Sequence, residues 1–267
     1  KKLQQHTRFL FSIGSLYRIH DGNLLYHGCI AMNDDGSFRA FNVDGKSFSG
    51  KAFLDRVDRL ARQGYFDTDH PAKKRYGMDA MWFMWCAPMS PLFGKERMTT
   101  FERYFIADKT THTEKRNAYY TLRDSEETAR NILREFGLDP ETGIIINGHV
   151  PVKVVKGERP IKANGRLMVI DGGFSRAYQK QTGIAGYTLI SNSRGMLLSA
   201  HQPFESKQKA ISEELDIDSE TEIIHAHPSR QRIKDTDRGH AIQEKIDALT
   251  ALLHAYREGL IKEQRLH

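Results

Sequence analysis

Two histidines, His27 and His149, lie at the ends of short apolar runs and beside glycine. His27 follows the run Asn23–Tyr26, and His149 follows Ile144–Ile146 after one asparagine and one glycine. A neutral imidazole nitrogen is a common metal ligand, and glycine allows the sharp turns that strand ends require. A single histidine in such a place is more often a hydrogen-bonded structural residue than a ligand. Two in matching surroundings predict one shared site.

The elements that position these histidines can be predicted from the flanking pattern. The apolar run at 144–146 is bounded by glycine and rich in β-branched residues, which predicts a buried strand. Asp21 and Gly22, between two short runs, predict a two-residue hairpin that presents His27. A helical apolar stripe ends at Gly137, just before the buried strand. Side chains beyond the carboxyl ends of such strands lie where open α/β sheets bind ligands.

Other segments carry further structural predictions. Asp124 and Glu127 have the spacing of a capping box that would begin the helix ending at Gly137. The segment Gly77–Cys86 is densely apolar and is predicted to be core. After His149, apolar runs alternate with glycine-containing turns. These runs predict antiparallel strands at 152–155, 166–170 and 187–191.

Composition limits the function classes. The chain has 267 residues, 39% of them hydrophobic and 28% charged, and its net charge is +6. No apolar run approaches the roughly 20 residues that span a bilayer, so no membrane partner is expected. Lysine and arginine residues are interspersed with acidic residues along the chain, which argues against nucleic-acid binding. A moderately basic surface suits an enzyme that binds phosphates. Only two cysteines, Cys29 and Cys86, favour the reducing cytoplasm.

Several segments together resemble the class III fructose-1,6-bisphosphatases of Firmicutes, which belong to the calcineurin-like metallophosphoesterases. The likeness covers essentially the whole chain, as a carboxy-terminal portion of a longer protein. Tyr26–Cys29 and Asn147–His149 are similar to the last two metal-ligand motifs of that superfamily. The other segments that carry the likeness are Gly14–Tyr17, Asp21–Tyr26, Gly77–Trp82, Trp85–Pro91, Ile146–Val152 and Ile170–Phe174.

The resemblance implies an α/β fold of the calcineurin-like sandwich type, with mixed sheets flanked by helices. Residues 1–200 would be the carboxy-terminal half of the metallophosphatase domain, and 201–267 an α/β extension ending in an amphipathic helix. The implied reaction is metal-dependent hydrolysis of the 1-phosphate of fructose 1,6-bisphosphate to fructose 6-phosphate and phosphate, a step of gluconeogenesis. His27 and His149 would be ligands in a dinuclear centre of Mn²⁺.

Three further ligand motifs of that superfamily are absent from this sequence: Asp-x-His, Gly-Asp-x-x-Asp-Arg-Gly and Gly-Asn-His followed by an acid. The sequence also begins at Lys1 without methionine. We therefore expect a chain that lacks its amino-terminal half and is inactive alone. Its expected partners are a sugar bisphosphate and either the missing half or a second copy. A phosphoprotein phosphatase of the same fold and an inactive binding or assembly module remain alternatives.

The resemblance also suggests residues for the substrate. A phosphate-binding arginine follows a Trp-containing segment in similar phosphatases, and Arg103 matches that position best, with Arg97 second. A guanidinium donates two parallel hydrogen bonds to phosphate, although a surface salt bridge explains either residue equally well. Where those relatives carry an acid after the tryptophan, this chain has Ala87.

A later loop supplies candidates for the second phosphate of the substrate. They are Arg176, Tyr178 and Lys180. Asp171, which follows a predicted strand, would orient a ligand or form an Asx-turn, and the turn is favoured.

Overall fold

A five-stranded sheet organises the computed structural model, which describes residues 1–171, 173, 175–214 and 219–261. In chain order the strands are β1 Tyr17–His20, β2 Asn23–Tyr26, β3 Phe41–Val43, β4 Lys46–Phe48, β5 Ile145–Asn147, β6 Ile161–Lys162, β7 Leu167–Val169, β8 Gly186–Asn192, β9 Gly195–His201 and β10 Ser219–Ala226. The five-stranded sheet has the order β1-β2-β5-β7-β6. A three-stranded sheet has the order β10-β9-β8, and β3 pairs with β4. The chain is therefore of the mixed α/β class.

The centre of the large sheet is parallel. Strands β2, β5 and β7 are parallel neighbours, and β1 and β6 pair antiparallel with β2 and β7. Leu24, Ile145 and Leu167 lie side by side in register and are fully buried. The hairpin from β1 to β2 turns at Asp21 and Gly22, both with positive φ, as a type I′ turn requires. The predicted hairpin and buried strand are both observed.

Helices connect and follow the strands in the described residues. They are α1 Lys2–Ile13, α2 Gly50–Phe66, α3 Pro71–Cys86, α4 Thr100–Phe105, α5 Tyr119–Leu122, α6 Glu126–Glu135, α7 Arg176–Thr182, α8 Lys207–Ser212 and α9 Asp237–Arg257. In α6, Ala129, Ile132 and Leu133 form a fully buried stripe. Helices α2 and α3 meet at a glycine pair, where a Cβ atom on Gly77 would lie 2.4 Å from the nitrogen of Gly64. Only glycine permits so close an approach.

The predicted core segment in α3 is mostly exposed. Trp82 and Trp85 are 69% and 70% exposed, and only Gly77 and Met84 of this helix are buried. The prediction was wrong because α3 contacts α2 along one narrow stripe. Its aromatic residues lie on its other sides.

The predicted capping box is also absent. Helix α6 begins after Ser125 without a side-chain cap. The Asp124 carboxylate pairs with Lys162, and the Glu127 carboxylate pairs with Arg134. The helix begins one residue later than predicted, with Ser125 at the N-cap, so Asp124 and Glu127 do not occupy the two positions that a capping box needs.

Two of the three predicted strands after His149 need correction. Residues 154–156 form a 3₁₀ turn that ends at Gly157 with φ of 75°, so no strand forms there. Strand β7 forms as predicted but runs parallel to β5, and its antiparallel neighbour is β6. The prediction at 187–191 is confirmed by β8.

The chain divides into two compact units. One comprises residues 1–189 and 198–222, and the other 190–197 and the residues from 223 onward. In the second unit, Thr236 caps the start of helix α9, and its hydroxyl accepts from the Gly239 amide. Its apolar side chains remain at least 43% exposed at Ile242, Ile246, Leu249 and Leu253. The predicted boundary at residue 200 stays a prediction.

Across the described ranges, every helix is too short or too polar to cross a bilayer.

Candidate functional site

The two histidines meet at the carboxyl ends of neighbouring parallel strands. His27 follows β2 directly, and His149 follows β5 by one glycine. Nδ1 of His149 lies 3.2 Å from Nε2 of His27, and the rings are nearly perpendicular, at 82°. Parallel pairing places both strand ends at one edge, so the predicted meeting of the imidazoles is confirmed.

The backbone at His149 is unusual. Its φ is 65°, in the left-handed region that non-glycine residues seldom adopt. Such strain persists where surrounding contacts hold it, and it is frequent at functional sites. A Cβ atom on the preceding Gly148 would lie 3.4 Å from Nδ1 of His27. This is ordinary van der Waals contact, so position 148 lies directly against that imidazole.

Asn147 joins the two strand ends. It is 1% exposed, and its Nδ2 donates to the carbonyl oxygens of Tyr26, His27 and Gly28 at 3.3, 3.1 and 2.9 Å. The Gly148 amide also donates to the His27 carbonyl. These bonds hold the segment that carries His27 against the segment that carries His149.

The 87–94 loop closes against the His27 segment. A Cβ atom on Gly28 would lie 1.9 Å from the carbonyl oxygen of Pro91, and the Cys29 amide donates to the same oxygen. Buried Asn117 fastens the far end of the segment, because its side chain bonds both the amide and the carbonyl of Met32. Contacts on both sides therefore immobilise the segment that follows His27.

Charged groups surround the histidine pair. The pKa of His149 is lowered, first by burial, then by the positive charges of His27 and Lys95, with a smaller contribution from Arg116. Asp171 acts in the opposite direction. Lys95 and Arg116 pair in an isolated antiparallel β-bridge, which brings both to this edge. No pattern in the sequence marks these two cations as site residues, because they are distant along the chain and belong to no motif.

A partly buried ion pair supports that bridge. Glu114 accepts from Nζ of Lys95 at 2.7 Å and from the amide and hydroxyl of Thr99, each at 2.9 Å. These donors lower the Glu114 pKa to about 2, against the opposing effect of burial. In the portion of the chain described, Arg116 has no carboxylate partner, and its guanidinium lies 5.8 Å from the Tyr120 ring centre. Arg116 is therefore the less neutralised of the two cations.

The arginines suggested by resemblance bond within their own loop. Nε of Arg103 donates to the Thr99 hydroxyl, and Nη2 donates to the His112 carbonyl, both at 3.0 Å. Nε of Arg97 donates to the Thr113 carbonyl at 3.4 Å. The bond from Arg103 to His112 joins α4 to the 3₁₀ turn at 109–112, and the bond from Arg97 to Thr113 joins the segments beside them. A phosphate-binding role for either arginine stays a prediction.

The candidates for the second phosphate are arranged around α7. The Asp171 carboxylate accepts from the Gly173 amide at 3.0 Å, which confirms the Asx-turn. Tyr178 is half exposed and Lys180 is exposed, both on α7. The side chain of Arg176 lies outside the described residues. The substrate role of this group stays a prediction.

The histidine pair has suitable geometry for a metal ion. Two nitrogens bound to one ion by bonds of about 2.1 Å lie roughly 3.0–3.4 Å apart at right-angled or tetrahedral geometry. The observed 3.2 Å lies within this range. Among the residues that the structure describes, no carboxylate or thiol joins the pair as a third ligand. The pair therefore fits one ion as an incomplete ligand set.

These features define an α/β chain with a candidate metal- and phosphate-binding edge. The chain matches the family model of Firmicute fructose-1,6-bisphosphatase over residues 1–258 and belongs to that family.

Curated relatives agree with this assignment. The chain is 57% identical over 264 residues to fructose-1,6-bisphosphatase class 3 of Clostridium novyi (strain NT). It is 58% identical over 263 residues to that of Clostridium tetani (strain Massachusetts / E88). It is 57% identical over 267 residues to that of Alkaliphilus metalliredigens (strain QYMF). These alignments cover 98–99% of this chain and 40% of each relative. No solved structure matches the chain at a significant level.

Proposed function

We propose that the intact protein hydrolyses the 1-phosphate of fructose 1,6-bisphosphate in a metal-dependent reaction. The observation that carries the proposal is the His27–His149 pair at the carboxyl edge of the parallel strands, in a chain of this family. The product would be fructose 6-phosphate, so the reaction would serve gluconeogenesis. Both cysteines are free, which is consistent with a reaction in the reducing cytoplasm.

His27 and His149 would act as neutral ligands of one ion of a dinuclear centre, and we propose Mn²⁺. Bound divalent ions polarise phosphoryl oxygens and lower the pKa of a bound water. The lowered pKa of His149 keeps its imidazole neutral, as a ligand must be. Two imidazoles bring no negative charge to balance divalent cations. We propose that carboxylate ligands come from the part of the whole protein that the relatives have outside the matched 40%.

The cations of this chain would bind the substrate. Arg116 and Lys95 lie close enough to His149 to affect its pKa, so we propose that they face the reacting phosphate. Arg116 is the stronger candidate because Lys95 is neutralised by Glu114. Arg176, Tyr178 and Lys180 would contact the second phosphate, and Asp171 would hold its loop by the Asx-turn.

The test is phosphate release by the intact protein with Mn²⁺. We expect release from fructose 1,6-bisphosphate and little from a phosphopeptide, and we expect the 267-residue chain alone to be near background. Preferential release from the phosphopeptide would favour a phosphoprotein phosphatase. Absence of release from every substrate by the intact protein would favour a binding or assembly module.

Variants of the intact protein assign the phosphate-binding arginine. Arg116→Ala is expected to lower kcat about 10²–10³-fold, as loss of a positioned donor does. Arg103→Ala and Arg97→Ala are expected to lower it less, because their donors bond within their own loop. The reverse order would return the role to Arg103 or Arg97.

A further inference from the structure

A buried cation lies behind the histidine pair without touching it. Arg123, at the end of α5, is 93% buried, as its exposed fraction is 7%. Its Nη1 donates to Oδ1 of Asn147 at 3.0 Å, and its Nε is buried with no hydrogen-bond partner. The guanidinium lies 5.9 and 5.1 Å from the ring centres of Tyr119 and Tyr120. Within the described portion of the chain, it makes no ion pair.

This arrangement is costly for folding. A buried charge with no opposite charge loses its hydration, and the orphaned Nε adds to that loss. The aromatic faces recover part of it through cation–π contacts. The burial cost of the charge is therefore offset only in part, by these contacts and by the hydrogen bond to Asn147. Stability alone gives little reason for a charge at this position.

The contact with Asn147 gives the cation a role. A primary amide can be placed in either of two orientations, and the hydrogen-bond network decides between them. Oδ1 of Asn147 faces the guanidinium, so Nδ2 faces the carbonyls of residues 26–28. The charge strengthens the bond to Oδ1, and hydrogen bonds in a chain polarise one another. Arg123 thus strengthens the amide bonds that hold the His27 segment to β5.

We propose that Arg123 is a positioning residue for the histidine pair. By holding the Asn147 amide, it keeps Nε2 of His27 and Nδ1 of His149 at the separation that one ion requires. This proposal depends on the proposed function only for the identity of the bound ion, Mn²⁺. The effect of Arg123 on His27, transmitted through Asn147, does not depend on it.

The first test measures Mn²⁺ affinity of the intact protein by the electron paramagnetic resonance signal of free Mn²⁺. Arg123→Met is expected to raise the Kd about 10–100-fold, as loss of an outer ligand-orienting partner does. Its urea midpoint is expected to change little, because the loss of the hydrogen bond to the buried Oδ1 of Asn147 opposes the removal of a buried, unpaired charge. The matched control is Arg130→Met, which removes an arginine that pairs with Glu126 and Glu141 on α6 and its following loop. It should leave the Kd unchanged.

A merely structural role predicts the opposite pattern. Arg123→Met would then lower the urea midpoint and leave the Kd of the folded protein unchanged, which would overturn the proposal. In an Asn147→Ala background, Arg123→Met should raise the Kd no further, because the two residues act in series. If Asn147→Ala does not fold, the single Arg123→Met variant and its control still decide.

A metal-free measurement separates this inference from the proposed function. In the intact protein without Mn²⁺, Arg123→Met should speed hydrogen exchange of the Gly148 amide, which donates to the His27 carbonyl. Exchange at Ile145, whose amide donates to the backbone carbonyl of Arg166, should not change. His149→Ala tests the proposed function separately. If this variant binds Mn²⁺ as tightly as wild type, the proposed function fails. The exchange rate of the Gly148 amide then decides by itself whether Arg123 positions the His27 segment. Unchanged exchange at Gly148 would overturn the inference.

Discussion

Protonation of Glu114 should weaken the fold at low pH by an amount that the structure allows us to calculate. Its carboxylate accepts from Lys95 and from the amide and hydroxyl of Thr99, and the Glu114 and Lys95 side chains are 16% and 17% exposed. These bonds lower its pKa from 4.5 to about 2. The group also holds the bridge that carries Lys95 and Arg116, so its loss would disturb the candidate phosphate site.

The sign follows from the direction of the shift. The folded pKa lies below the unfolded one, so the stabilisation is fully present above pH 4.5 and is lost as the pH falls toward about 2. A shift of about 2.5 pKa units at 1.36 kcal/mol each gives an upper value of about 3 kcal/mol. Residual solvent screening reduces this, so we expect about 2 kcal/mol.

The assay is urea unfolding of the intact protein at a series of pH values from 7 to 2.5. Glu114→Gln should be less stable than wild type by about 2 kcal/mol at pH 7, and the difference should shrink as wild-type Glu114 becomes protonated. Glu96→Gln, an exposed change on the same loop, is the matched control. A difference between wild type and Glu114→Gln that stays constant with pH would refute the reasoning.

Three further predictions concern the same edge of the sheet. Gly28→Ala should destabilise the protein by at least about 2 kcal/mol in urea unfolding, because its Cβ would lie 1.9 Å from a backbone carbonyl oxygen. An unchanged urea midpoint would contradict the packing of the 87–94 loop against Gly28. Asn117→Ala should lower the free energy of unfolding by about 2–3 kcal/mol, because it leaves the buried amide and carbonyl of Met32 without partners. Thermal unfolding would measure this loss. A loss below about 0.5 kcal/mol would show that water replaces the side chain. In the metal-free protein, His27→Ala should raise the pKa of His149 in an NMR titration, since it removes a neighbouring positive charge and part of the burial of His149. An unchanged pKa of His149 would exclude electrostatic coupling between the two rings.

The sequence by itself determined the local elements that carry the histidines. The β-branched run before Asn147 predicts a buried strand, and Asp21 with Gly22 predicts a hairpin, because both signals depend on backbone preferences within a few residues. Matching glycine contexts at His27 and His149 then predicted one shared site. The resemblance that named the family also needed only the linear motifs.

Tertiary structure decided what surrounds these elements. Periodicity cannot reveal which side of a helix has a neighbour, so the apolar segment of α3 was predicted as core although Trp82 and Trp85 are exposed. The cations near His149 come from Lys95 and Arg116, which an isolated bridge brings together from separate segments. Arg123 lies 24 residues from Asn147 and has no signature in the sequence. Its burial and its single acceptor arise only when α5 packs behind the strand ends, because burial and charge environment are properties of the assembled fold.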